Sequence, residues 1–205
     1  MSDYPVRVDV TSPPRFDRLQ LLLRIVLAVV LGWVGITAGW LIGLLYFALP
    51  IIVAVAISSE GSQGFMGGVA PKLWRVLAWL LQLAAYMALV VDRFPTYDEG
   101  TVVPSIHFTG HPTVGSALSR LVTSLPSGAL LAMLWCVSSV LWVVGAIFVL
   151  AGTAMPPAIL AFQRGVLRWN ARLVAYHASL VVEYPPWSFD TDASDAGFAA
   201  AAGAR

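Results

Sequence analysis

Charge is what this sequence lacks most. Of its 205 residues only 12 are Lys or Arg and 11 are Asp or Glu, 11% in all, against about 25% in ordinary soluble domains. So little charge excludes a soluble globule, whose surface would need far more polar side chains. The formal net charge of +1 excludes the basic footprint of a nucleic-acid binder. Cysteine is nearly missing too. One thiol, Cys136, can form neither an intrachain disulfide nor a structural zinc site; in its apolar setting it reads as a small buried hydrophobe. There is no phosphate-cradling glycine loop, nucleophile elbow or zinc-binding helix signature. His107 and His111 are four apart, but Gly110 and Pro112 break the helix that metal spacing would need, and no acidic partner sits nearby. The expectation is a protein without catalytic residues, metal or cofactor, hence no enzyme.

What is present is hydrophobic length. Hydrophobic residues make up 59% of the chain, and residues 25–59 and 121–163 carry no charge. A helix needs about 20 apolar residues to cross roughly 30 Å of hydrocarbon. Leu19 to Ile57, with Arg24 as its only charge, has room for two crossings that turn at Gly35, Thr37 and Gly39. Arg24 sits near the start, where it can snorkel to headgroups. Leu121 to Ala151 is shorter. It fits two tight crossings turning near Cys136, Ser138 and Ser139 and beginning around Thr113, or one crossing from Ser127 to Ala151. The long polar lead with Pro13 and Pro14, and an apolar run continuing past Ala38, point to a retained segment rather than a cleaved signal.

The two halves of the chain match in order. Each hydrophobic segment opens on an Arg-Leu pair, Arg18-Leu19 and Arg120-Leu121, and each half closes on a longer match. Tyr86-Met-Ala-Leu-Val-Val-Asp-Arg-Phe-Pro95 stands against Tyr176-His-Ala-Ser-Leu-Val-Val-Glu-Tyr-Pro185, with Trp79 and Trp169 seven residues before each tyrosine. The Arg-to-Tyr interval is 68 residues in one half and 56 in the other. Each half also begins with an extended stretch. Val6, Val8 and Val10 alternate with Arg7 and Asp9, as in a strand; Val103 to Phe108 is a looser counterpart in which Pro104 demands an edge or a strand start.

The third element of each unit carries the candidate sites. Phe162, Val166, Trp169, Leu173, Tyr176 and Leu180 recur at spacings of four and three, which is one helix face. Arg164, Arg168 and Arg172 form a separate basic stripe. Three arginines are costly in hydrocarbon but suit a helix lying in the membrane interface, with aromatics inward and guanidinium groups on lipid phosphates. Lys72 and Arg75 are the corresponding headgroup contacts in the first half, where Lys72 to Val91 reads as interfacial or, alternatively, as a crossing. Trp169, Tyr176, Tyr184 and Trp187 are the expected interfacial anchors. With two hairpins every Lys and Arg falls on one side of the membrane. The positive-inside rule then makes both termini cytoplasmic in a multi-pass plasma-membrane protein.

The succession Tyr4-Pro-Val-Arg-Val, Arg18-Leu, an apolar hairpin, then Gly165-Val-Leu-Arg-Trp-Asn-Ala-Arg-Leu-Val-Ala-Tyr176 and Glu183-Tyr-Pro-Pro-Trp187 resembles an uncharacterised, largely actinobacterial family of membrane domains. The resemblance covers residues 4–95 and 102–189 and implies a tandem pair; no activity comes with it. The first copy departs from the signature, with Phe94-Pro95-Thr96 in place of Tyr-Pro-Pro and no Arg before Trp79. The fold expected is all-α and membrane-bound. It comprises two repeated units, 1–100 and 101–189, each a transmembrane hairpin plus an amphipathic interfacial helix opening on a short extended segment, with 190–205 a disordered tail. The function expected is a non-catalytic scaffold or accessory subunit of an envelope or lipid-handling assembly, with membrane lipids and a membrane protein as partners. The alternative is a small parallel-repeat carrier or channel.

Overall fold

The computed structural model describes residues 4–33, 38–95, 101–152, 154–187 and 189. The turn expected at Gly35 and Thr37 and the tail 190–205 lie outside the described residues. The chain is mostly helical, with two short strands.

Strands β1 (Val6–Val10) and β2 (Val102–Ile106) pair antiparallel with Val8 opposite Pro104. Just beyond the ladder the Thr11 amide donates to the Thr101 carbonyl and the His107 amide to the Pro5 carbonyl, both at 2.8 Å. The alternation of antiparallel pairing then turns the backbone of Arg7 and Asp9 toward β2, and that of Val6, Val8 and Val10 toward the outer edge. The same alternation puts Pro104 on the outer edge of β2, where its missing N–H costs the ladder nothing. The three β1 valines are buried on one face while Arg7 and Asp9 are exposed on the other.

Helix α1 (Arg18–Trp33) starts where the Asp17 carboxylate accepts the Leu19 amide at 2.9 Å, a side-chain cap on an otherwise orphaned donor. Helix α2 (Ala38–Gly64) contains Pro50 and leaves helical geometry at Gly61 (φ 74°, ψ 170°). A π-helical turn, Phe65–Val69, leads into α3 (Ala70–Met87). Helix α4 (Val114–Thr123) opens with a capping box between Thr113 and Ser116. Helix α5 (Leu125–Ala151) ends on left-handed Gly152 (φ 76°), where a Cβ would lie 2.5 Å from Arg18 Nη2. Helix α6 (Pro157–His177) opens on Pro157, whose absent N–H would have no partner in the first turn anyway. Two stretches, Gly43–Met87 and Leu125–Ala151, are long and apolar enough to cross a membrane.

Helix α6 is the centre of the protein. Along one side it runs antiparallel to α5. Ser124 meets His177, Leu131 packs with Val166, Trp169 and Leu173, Ser138 meets Gln163, and Val149 joins Leu160 and Met155. Across another side lie β1 and α3, where Val6, Val8 and Val10 share a core with Leu81, Tyr86, Leu167 and Ala171. Both halves of the sequence therefore contribute to one core.

Several expectations change here. The second hydrophobic segment does not turn at Cys136, Ser138 and Ser139, because α5 is unbroken through them. The serines are accommodated within the helix: Ser139 Oγ donates to the Trp135 carbonyl at 2.8 Å, and Ser138 faces Gln163. Cys136 is exposed rather than buried. Helix α6 is not an amphipathic surface helix, since nearly every side chain from Gln163 to His177 is covered.

Candidate functional site

The buried polar groups gather around two arginines. Arg24, expected to snorkel outward, is fully buried. Its Nη2 donates to the Val91 carbonyl at 2.6 Å and to Asp92 Oδ1 at 3.2 Å, and its guanidinium lies 4.2 Å from the centre of the Tyr86 ring. Arg120 is built the same way. Its Nη1 donates to the Tyr176 carbonyl and, at 2.8 Å, to that of Val181, with the guanidinium 4.4 Å from the Tyr176 ring centre. The carbonyls are available because α3 and α6 end alike. Leu89 (φ 57°) and Ser179 (φ 58°) turn left-handed, the Val90 amide returns to the Ala85 carbonyl and the Leu180 amide to that of Ala175, both at 3.0 Å. Arg24, rather than the Arg18 of the Arg-Leu pair, is held in the way Arg120 is. Hydrogen bonds from a charged donor contribute about 1.5–3 kcal/mol each, so each arginine pins a helix end.

The basic stripe of α6 lies inside the protein. Arg164, Arg168 and Arg172 are 3%, 3% and 6% exposed, covered by the N-terminal segment rather than turned to headgroups. Arg164 Nε donates to Ser12 Oγ at 3.2 Å, Arg168 Nε to the Val8 carbonyl at 3.4 Å, and Arg172 lies 5.6 Å from the Tyr4 ring centre. Val8 is one of the β1 residues whose carbonyl faces the outer edge, so α6 caps a strand edge that would otherwise be open. On the other strand Gln82 Nε2 does likewise, donating to the Val102 carbonyl at 3.1 Å. Trp169 and Tyr176 are also interior, whereas Tyr184 and Trp187 are exposed at 39% and 61%. Lys72 and Arg75 are exposed on α3.

A second polar cluster joins α2, α6 and the α4–α5 junction, and the sequence offered little to find it. His177 Nε2 donates to the Tyr46 carbonyl at 2.6 Å, and Nδ1 is 2.8 Å from Ser124 Oγ. The Tyr46 ring stacks on the imidazole at 4.6 Å, and the Tyr46 hydroxyl donates to the Leu121 carbonyl. Burial pushes the His177 pKa below its ordinary 6.5. Ser124 and His177 stand at the distance of a nucleophile and its base, but Ser124 is fully buried, and His177 is oriented by a carbonyl where a triad would place a carboxylate. Nearby, the Thr109 hydroxyl donates to Glu183 at 2.6 Å and lowers its pKa, while burial raises that of Tyr4. A hollow lined by Gln82, Val91, Arg93, Phe94 and Thr101 has about 10 Å³ of interior, room for one water.

The signal that could have identified the two clamps was the isolation of Arg24 and Arg120 at the borders of uncharged apolar runs. A charge in such a place is retained only with a partner.

Among known families, the model described as Domain of unknown function (DUF4389) matches residues 115–189. This stretch includes Arg120, Ser124, α5, α6 and Tyr184. No curated protein and no solved structure matches the chain.

Proposed function

We propose that this chain is a non-catalytic integral membrane protein, a scaffold or accessory subunit of an envelope or lipid-handling assembly, with both termini on the cytoplasmic side of the plasma membrane. One observation carries the reading: the polarity of the molecule is turned inward. Leu22, Val26, Phe47, Ile51, Val140 and Ile147, on α1, α2 and α5, are each at least half exposed, while Arg24, Arg120 and the α6 stripe are engaged within the protein. An exposed apolar surface of that kind suits lipid or a membrane partner. Lys72 and Arg75, with Tyr184 and Trp187, are the groups on this reading that meet headgroups.

Two related units support a scaffold built by duplication. A single shift of 96 residues carries Val6, Val8, Val10, Thr11 and Arg24 onto Val102, Pro104, Ile106, His107 and Arg120. Under that shift the strand pairing maps onto itself. The same shift carries Tyr46, which meets His177, onto Trp142, whose Nε1 donates to the Met87 carbonyl at 2.8 Å.

Affinity purification of the tagged full-length chain in mild detergent tests the proposal. A stoichiometric membrane-protein partner is expected. Recovery of the chain alone, together with solute flux in vesicles containing only this protein, would replace the scaffold by a carrier.

A further inference from the structure

We infer that α5 and α6 lie along the plane of the membrane, so that the chain beds its apolar face into one leaflet instead of crossing the bilayer at α5. The inference rests on the membrane reading above and changes what that reading means for topology. Helix α5 is antiparallel to α6 along its whole length, from Ser124 at His177 to Val149 at Leu160. Strand β1 covers α6 at Arg168, and Ser12, two residues past the strand, reaches Arg164. Those positions are level with the middle of α5, where Ser138 meets Gln163 and Leu131 meets Val166 and Trp169. The sheet is therefore level with the centre of α5, not with either end.

Its depth follows from that placement. Arg7 and Asp9 are exposed on the outer face of β1. If α5 stood upright in the bilayer, both charges and a two-stranded sheet would sit near the middle of the hydrocarbon. Charge is expelled from that zone. With α5 flat, the sheet faces water and Met133, Val137, Val140, Ile147 and Leu150 form the face that meets acyl chains. These five are 48–67% exposed and recur at helical spacing, so one side of α5 is open to acyl chains while the other is covered by α6. The occupant of that face is the acyl region of a single leaflet.

Depth measurement decides the matter. In a Cys136→Ser background, Met133→Cys, Val140→Cys and Ile147→Cys each receive an environment-sensitive fluorophore in the full-length protein. The labelled proteins are placed in nanodiscs of phosphatidylcholine and phosphatidylglycerol with lipids brominated at defined acyl positions. All three sites are more than half exposed, so folding is left intact. Equal depths at all three labels are expected, with Asp9→Cys open to a water-soluble maleimide. An upright helix would put Val140 near the bilayer centre and Met133 and Ile147 each about 10 Å from it, on opposite sides. A depth difference of that size between Val140 and the other two, or protection of Asp9→Cys, overturns the in-plane arrangement and leaves membrane insertion standing. Absence of bromine quenching at every site overturns both.

Discussion

Replacing Gly110 with alanine should destabilise the protein by about 2–5 kcal/mol, and the source of that cost can be separated experimentally. Gly110 precedes α4 with φ +80°, and a Cβ there would lie 2.0 Å from Cγ2 of Val182 and 3.4 Å from its Cβ. Two penalties follow. A left-handed backbone costs an L residue about 1–2 kcal/mol. Carbon atoms prefer separations near 3.5–4.0 Å, and relieving such an overlap costs about 1–3 kcal/mol. The local structure resists movement: the Thr109 amide donates to the Leu180 carbonyl at 3.2 Å, and the Val182 amide to Thr109 Oγ1 at 3.0 Å. Val182 is 54% exposed, so Val182→Ala alone should change stability by less than about 0.5 kcal/mol. Combined with Gly110→Ala it removes Cγ2 and should restore the steric part, leaving about 1–2 kcal/mol from the backbone. Equilibrium unfolding in mixed micelles, followed by tryptophan fluorescence, gives the four stabilities of the cycle. If Gly110→Ala unfolds like the parent, or Val182→Ala restores nothing, the contact does not hold the α6 tail against the start of α4 and the reasoning fails.

The arginine stripe and the exposed lysine–arginine pair should part company in vesicle binding. Changing Arg168 to Met leaves the Val8 carbonyl without its donor and should cost about 1–3 kcal/mol of stability, measured by the same unfolding assay. Changing Lys72 and Arg75 to Gln should leave stability within about 0.5 kcal/mol while weakening attachment to anionic vesicles by about 1 kcal/mol per charge, as read by flotation. Protonation of His177 should unfold the cluster at Ser124 and Tyr46. Because burial depresses its pKa, the stability it contributes is complete above the ordinary value of 6.5 and is lost as pH falls below it. A thermal melt between pH 5 and 8 should show that loss, and His177→Asn should flatten it. Ser138→Ala should cost about 1–3 kcal/mol by stranding buried Gln163, whereas Ser138→Ala with Gln163→Leu should come close to the parent in unfolding measurements.

The elements themselves were largely legible. Alternation at Val6, Val8 and Val10 is a local signal, and the strand is there. The apolar run ending at Ala151 is helical as expected, but its serines were overread as a turn. Serine in a helix can bond back to a carbonyl four residues earlier, as Ser139 does to Trp135, so a polar residue in an apolar run does not force a reversal. The α6 stripe shows the other kind of failure. Helical spacing placed Arg164, Arg168 and Arg172 on one face correctly, yet periodicity cannot say what covers that face. Arg24 and Arg120 were visible as isolated charges, but the pairing by Arg-Leu doublets chose Arg18, because dipeptides carry less information than the carbonyl each guanidinium reaches.

What composition and periodicity determined alone was the inventory: little charge, apolar runs of helical length and the alternating valines of β1. These properties are local and additive, so no partner segment is needed to read them. Which way the charges face was decided only in three dimensions. Arg164 meets Ser12 across 152 residues and Arg168 meets Val8 across 160. A guanidinium is as well satisfied by a strand edge as by a phosphate, and only the path of the distant N-terminal strand settles which one it finds.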